Sequence, residues 1–425
     1  NLTESVSLTD SISKTEGVNL SESVSLTDSI AKSAGVNLTE SVSLTDSIAK
    51  SAGVNLTESV SLTDSISKTE GVNLTESVSL TDSISKTEGV NLTESVSLTD
   101  SASTLSISFP DDWNKKVLST NSTMVSGSSN LSNFPVLVTL TDDSDLSTSK
   151  VGSSGQGIRF TSDGTTLLDY EIEKYTGDAN SGTLVAWVEV PTLDHDDTTY
   201  IYIHYGQTGS PDLQDGPGTW DSDYRGVWHL NDSDVASDTT IEESTTNNSD
   251  GIAQYMADDD DVTGKIDGAL DFDGSNDRVR IGEALFNANT TAFTISVWVK
   301  PDVISGFKSI VGAQQNASAR SPSMWVGNDA KLHTDVTEAP SARKIVNAPD
   351  MFAINEWTLV TWTRDGTSTI IYKNGVQVAT GAAPDGDLYV NNFYYFANRG
   401  FYNYFDGILD EIRISHSARS EIGRA

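Results

Sequence analysis

Along the first hundred residues Leu, Val and Ile fall on even positions: Leu2, Val6, Leu8, Ile12 and Val18, then Leu20, Val24, Leu26, Ile30 and Val36. The parity persists because the sequence repeats. NLTESVSLTDSISKTEGV at 1–18 recurs from Asn19, Asn37, Asn55 and Asn73, with a partial copy over 91–104, a period of 18 residues. On an α-helix this period is five whole turns, and the five apolar positions would scatter around the circumference. A period of two is instead the signature of a strand with one apolar face. Gly17, Gly35, Gly53, Gly71 and Gly89 follow polar, Lys-containing stretches and read as one turn per copy. The pattern therefore predicts a long strand at about residues 18–30 and its equivalents.

Residues 1–104 form a β-repeat shaft on this reading, and three architectures satisfy it: a solenoid with one coil per copy, an extended ribbon, or a multi-chain shaft. Each copy opens on an N-glycosylation sequon. In a solenoid the equivalent Asn residues would stack about 4.8 Å apart, narrower than a sugar chain. Five apolar side chains per copy are also too few to keep an isolated ribbon folded. The expectation is burial between chains, with the array as the site of self-assembly into a homopolymer or bundle.

After residue 104 the repeat gives way to short alternating runs at 135–140, 157–161, 183–190 and 199–205, a β-sandwich over 105–207. A Gly/Pro/Asp-rich linker at 208–219 leads to a second sandwich at 220–420, where Asn374-Gly375 between alternating runs predicts a type I′ hairpin. Residues 314–350 follow no period and are expected to form loops on one rim. The fold class is all-β: a strand-repeat shaft followed by two sandwiches.

Composition narrows the function. With 61 acidic and 26 basic side chains the net charge is −35, which excludes a nucleic-acid binder and makes cations the natural partners. No cysteine is present, so there is no disulfide or thiolate zinc site, and the five histidines are too scattered for an HExxH motif. No apolar run is long enough for a transmembrane segment in this chain. The chain opens at Asn1 without a signal sequence, so the expectation is a mature protein or a piece of a longer one. Asp271, Asp273 and Asp277 in DFDGSND offer hard oxygen ligands for a structural calcium ion, whereas the run Asp258–Asp261 reads as a solvated loop.

Eight aromatics lie between residues 393 and 405. Phe393, Tyr395 and Phe405 are expected in the core, with Tyr394, Tyr402 and Tyr404 at a glycan or subunit contact. Catalysis is not expected. There is no carboxylate pair in an E-x-D-x-E arrangement and no G-x-S-x-G elbow, and Asp410 and Glu411, as strand neighbours, should point to opposite faces.

Several motifs carry a family likeness. Trp113, FPVLV at 134–138, IRFTSDGTTLLDYEIEKY at 158–175, VAWVEVPTL at 185–193 and TTYIYIHYG at 198–206 resemble the domain of unknown function 2341 of bacterial and archaeal surface proteins. GVWHLND at 226–232, GKIDGALDFDGSNDRVRI at 264–281, FTISVWVKP at 293–301, NEWTLVTWTRDG at 355–366 and FDGILDEIRIS at 405–415 resemble the LamG-like, concanavalin A-like lectin/glucanase jelly roll. That resemblance implies carbohydrate binding, and a calcium site at which Asp410 joins Asp271, Asp273 and Asp277.

Sequons at Asn1, Asn19, Asn37, Asn55, Asn73, Asn91, Asn121, Asn130, Asn231, Asn247, Asn289 and Asn316 point to an extracellular glycoprotein, because only translocated chains meet the glycosylation machinery. The expectation is an archaeal cell-surface protein, a self-assembling subunit of a filament or surface layer. The alternative is an adhesin binding glycans through its C-terminal sandwich.

Overall fold

The computed structural model describes the backbone of residues 2–3, 8–21, 26–39, 44–57, 62–75, 80–93 and 101–103 in the array, then residues 113–122, 125, 129–282, 285–287, 290–316, 319–320, 322–338, 342–366, 368–382, 388, 393–398 and 403–419. Asn1, Asn289 and Tyr402 lie outside the described residues.

The array is one parallel seven-stranded sheet in sequence order, built on the strands Leu8–Ser21, Leu26–Thr39, Leu44–Thr57, Leu62–Thr75 and Leu80–Thr93. Each paired residue meets its own equivalent in the next copy: Leu8 with Leu26, Ile12 with Ile30, Asn19 with Asn37. The strand boundaries differ from the sequence expectation, since Gly17 lies inside a strand and the predicted span 18–30 crosses a strand end at Ser21. Fourteen extended residues would run about 46 Å. The link from Ser21 to Leu26 can reach under about 20 Å. The strand must therefore bend back, and the ladder skips the Lys and Gly of each copy, Lys14 and Gly17 first, where such bending is placed. This is the coil-per-copy arrangement. The hydrogen-bond ladder runs from copy to copy within one chain, whereas the sequence expectation put the covering of the apolar face between chains.

After the array, Asn114–Ser119 pairs antiparallel with Tyr200–Tyr205, and Gly182–Leu193 sits between Tyr170–Gly177 and Leu131–Asp143. Between the layers lie Val138, Leu146, Phe160, Tyr170, Leu184 and Val188, all buried. The sequence alternation here follows the pleat, one face apolar and the other polar.

The C-terminal sandwich has two eight-stranded sheets. In the first, Asp406–Ser415 is central: Ala292–Pro301 flanks it on one side, Gly268–Asp273 and Tyr224–Trp228 on the other. The second runs from Thr240–Ile241 through Arg278–Ile281, Tyr394–Phe396 and Ser323–Val326 to Ala342–Ala348. Phe293, Ile295, Val297 and Val299 face inward from one sheet, and Trp228 meets Phe396 edge-on at 5.0 Å between ring centroids. Residues 314–350, expected as rim loops, supply strands at the edge of the second sheet, including Leu332–Glu338 and Ala342–Ala348. Asn374 and Gly375 take φ of 50° and 75°, the two positive values a type I′ turn requires.

Ala292–Pro301 and Thr358–Asp365 are buried on both faces. The outer face of their sheet is covered by the preceding domain, through Trp187, Trp220, Tyr224, Val227 and Ile266 with Leu137 and Val185. No helix among the described residues is long and apolar enough to cross a membrane.

Candidate functional site

On the solvent side of the second sheet, Arg278 and Arg280 stand outward because Val279 and Ile281 face the core. Pairing sets the neighbouring strand: Val279 opposes Phe396, Arg280 opposes Tyr395 and Ile281 opposes Tyr394. Tyr394 and Phe396 therefore point inward, and Phe393 and Tyr395 outward. This corrects the sequence expectation by one residue. Tyr394, assigned to a glycan or subunit contact, is 1% exposed and donates its hydroxyl to the Pro322 carbonyl, while Phe393, assigned to the core, is 38% exposed.

The outward residues form a platform. Arg278 lies over Tyr255 at 5.0 Å and Tyr395 at 5.8 Å, donating from Nε to Gln254 at 2.8 Å and from Nη1 to the Tyr404 hydroxyl at 3.2 Å. Arg280 lies 4.4 Å over Phe393. Tyr255 is 59% exposed and holds φ of 66°, a left-handed conformation uncommon for a bulky residue. Arginines clamped over the rings fix them as rigid apolar faces in water. Such faces bury the C–H surface of a flat ligand such as a sugar ring.

The acidic residues divide between two places. In the DFDGSND turn Asp273 Oδ1 accepts from the Ser275 and Asn276 amides at 2.7 and 3.2 Å, and Asp277 Oδ2 accepts from the Asp273 amide at 2.9 Å. The residue opposite Asp273 is Asp406, not Asp410, and a Cβ at Gly274 would come within 2.6 Å of the Asp406 carboxylate. Burial and the charges of Asp302, Asp260 and Asp406 push the Asp271 carboxyl up, and burial with Asp273 and Asp260 nearby pushes Asp277 up to about 6. Asp410 lies farther along its strand, with Oδ2 accepting from the Lys265 and Ile266 amides at 2.7 and 2.9 Å, so the expected four-residue set does not converge.

Asp410 belongs to a buried cluster under the preceding domain. Two residues, Glu411 and Ile412, oppose the single Val297 between the pairs Ser296–Arg413 and Trp298–Asp410, and Glu411 has φ of 53°. This β-bulge cancels the alternation expected of neighbours, and both Asp410 and Glu411 are buried. Glu411 Oε1 lies 2.6 Å from His229 Nδ1, and Oε2 accepts from Arg413, whose guanidinium lies 3.9 Å over Trp187. From the preceding domain Glu171 Oε2 accepts from Trp220 Nε1 at 2.9 Å and lies 3.4 Å from His229 Nε2, and Glu173 Oε2 accepts from Trp187 Nε1 at 2.8 Å. Burial and the Glu411 charge push the Glu173 carboxyl well above the usual range. The Glu-x-Glu of this strand and His229 of GVWHLND were visible in sequence, but nothing there brought them together.

Among the sequons, Asn121, Asn130 and Asn247 are exposed. Asn231 is half-buried, its amide donating to the Glu173 carbonyl at 3.3 Å. Of Asn316 and the array sequons from Asn19 to Asn91 the backbone alone is described, and the ladder sets equivalent array Asn residues side by side.

Residues 154–247 match the model of a domain of unknown function (DUF2341), reaching past the expected boundary at 207 to take in Trp220 and His229, and residues 273–422 match that of the concanavalin A-like lectin/glucanases superfamily. No curated protein matches the chain. Among solved structures, domain 4 of an extracellular arabinanase from Geobacillus stearothermophilus, in complex with arabinotriose, aligns at TM-score 0.37 and 19% identity over 46% of this chain and 94% of its own. The binding domain of Paraclostridial Mosquitocidal Protein 1 aligns at TM-score 0.36 and 17% identity over 47% of this chain and 50% of that one. The receptor binding domain of botulinum neurotoxin D gives 0.35 and 12%, over 47% and 50%. The chain thus spans about half the length of the two toxin binding domains. Residues 273–422 are a concanavalin A-like lectin/glucanase-type domain, and residues 154–247, ahead of it, belong to the domain of unknown function 2341.

Proposed function

We propose that this chain is an extracellular, cell-surface glycan-binding protein, with the C-terminal sandwich as the binding module and the coiled array as its stalk. One observation carries the reading: a rigid aromatic platform, Tyr255 and Phe393 clamped by Arg278 and Arg280, faces solvent from a domain of the concanavalin A-like superfamily. Stacking a sugar ring needs an exposed, immobile ring face, and both rings are exposed and held. The charge of −35 favours neutral glycans over anionic ones. Binding by the full chain on a glycan array, lost in Tyr255→Ala with Phe393→Ala, tests the reading. An array on which wild type and the double variant bind alike contradicts it.

The filament reading rests on a separate observation. The array ends on edge strands, Leu2–Thr3 and Ser101–Ser103, and successive copies pair in strict register. An edge of that kind is a template for a further identical coil. End-to-end stacking of arrays would extend the ladder, and helical order in micrographs of purified protein tests it. Uniformly monomeric particles at all concentrations contradict it.

A further inference from the structure

We propose that His229 Nδ1 and the carboxylates of Glu173 and Glu411 bind a divalent transition-metal ion, of the zinc type, that ties the two family-matched segments together. One ligand atom from each of the three residues lies within 4.8 Å of the other two. Their side chains are 6%, 0% and 2% exposed, so water does not supply their partners.

Hydrogen bonding points to a missing cation. Three buried carboxylates, Glu173, Asp410 and Glu411, lie with the Arg413 guanidinium and the His229 imidazole, and the half-buried Glu171 adds a fourth at the edge. Glu173 Oε1 and Asp410 Oδ1 have no hydrogen-bond partner among the described residues. A divalent ion held by Glu173, His229 and Glu411 supplies the partner that Glu173 Oε1 lacks.

The donor set selects the metal class. An imidazole with two carboxylates suits zinc and its first-row neighbours, whereas calcium takes oxygen alone. The outer contacts also fit a metal centre. His229 directs Nε2 toward Glu171, Trp187 donates to Glu173 Oε2 and Arg413 holds Glu411 by the oxygen that does not face His229. These contacts orient all three ligands. On binding, the metal replaces the proton between His229 Nδ1 and Glu411, and that proton leaves to solvent. A cavity of about 700 Å³, lined by Glu411 and Arg413 together with Leu137, Trp187 and Trp298, gives the ion a route.

The full chain, stripped by dialysis against a chelator, is titrated with zinc chloride by calorimetry in excess calcium, and the zinc-loaded protein is examined by X-ray absorption. The expected result is one zinc per chain in a nitrogen/oxygen shell containing a single imidazole, with affinity at least ~10-fold weaker in the isosteric Glu173→Gln. Absence of stoichiometric zinc, a shell without imidazole, or unchanged affinity in Glu173→Gln overturns the proposal. Should Glu173→Gln not fold, the wild-type shell decides alone.

Discussion

His204 shows how one side chain makes the domain after the array sensitive to pH. It is buried in Tyr200–Tyr205 opposite Lys115, and burial with the Lys115 charge lowers its imidazole to about 4. The folded state therefore keeps His204 neutral, while the unfolded chain takes up a proton near pH 6.5. A depressed folded value means stability is present above about pH 6.5 and is lost as pH falls toward about 4. The melting temperature of the wild type should drop more steeply over that window than that of His204→Gln. Parallel curves would contradict this. Raised carboxyls such as Glu189, pushed up to about 7 by burial and by Asp169 and Asp221, act in the opposite sense, so the difference between the two proteins is the measured quantity.

Also at this scale lies a cation prediction. If calcium binds the DFDGSND turn, its ligands are the residues the register brings together, Asp273 and Asp406, and not Asp410. Free calcium a hundredfold above the dissociation constant adds about 2.7 kcal/mol of stability. Asp273→Asn with Asp406→Asn should abolish the calcium-dependent rise in melting temperature, and Asp410→Asn should retain it. The reverse pattern would place the ion at Asp410. Asp410 and Glu411 were read from sequence as pointing apart, which holds for a regular strand. The bulge that defeats the rule is imposed by pairing with Ala292–Pro301, a partner more than a hundred residues away in sequence. Glu171 and Glu173 were illegible for another reason. Alternating with Tyr170 and Ile172, they have the pattern of a solvent face, and only the docking of Trp220 and His229 buries them.

Among the elements, alternation and turn chemistry carried most of the information. The hairpin at Asn374-Gly375, the run at 293–301 and the strands of the first sandwich were legible because local pattern and tertiary packing agree there. Residues 314–350 had no period to read: Ser323–Val326 is buried on both faces, so its alternation is lost. In the array the period was plain but the turn was misplaced, because Gly17 marks a gap in the ladder and not a strand end. Closure within the chain has a consequence for deletions. Removing one whole copy, residues 37–54, rejoins equivalent positions and preserves the register, whereas removing 37–45 shifts every later pair by half a period. The first deletion should leave β-signal per residue and protease resistance unchanged at micromolar concentration, and the second should lose both over the array. Equal behaviour of the two would contradict the coil.

The whole molecule joins a coiled repeat to a superfamily known for sugar-binding sandwiches, with the preceding domain docked on the sandwich's covered sheet. The Tyr255–Phe393 platform faces solvent from the other sheet, where the proposed function places the ligand. Array sequons stack at strand spacing, whereas Asn121, Asn130 and Asn247 are exposed, and the proposed function places recognised sugars at the platform. The direct measurement is a glycan-array screen of the full chain beside a folded Tyr255→Ala, Phe393→Ala variant, followed by calorimetry on the strongest neutral glycan. The account predicts saturable binding by the wild type, weakened at least ~10-fold by the double substitution, about 1.4 kcal/mol or more. Undiminished binding by the variant, or no glycan bound by the wild type, would contradict it.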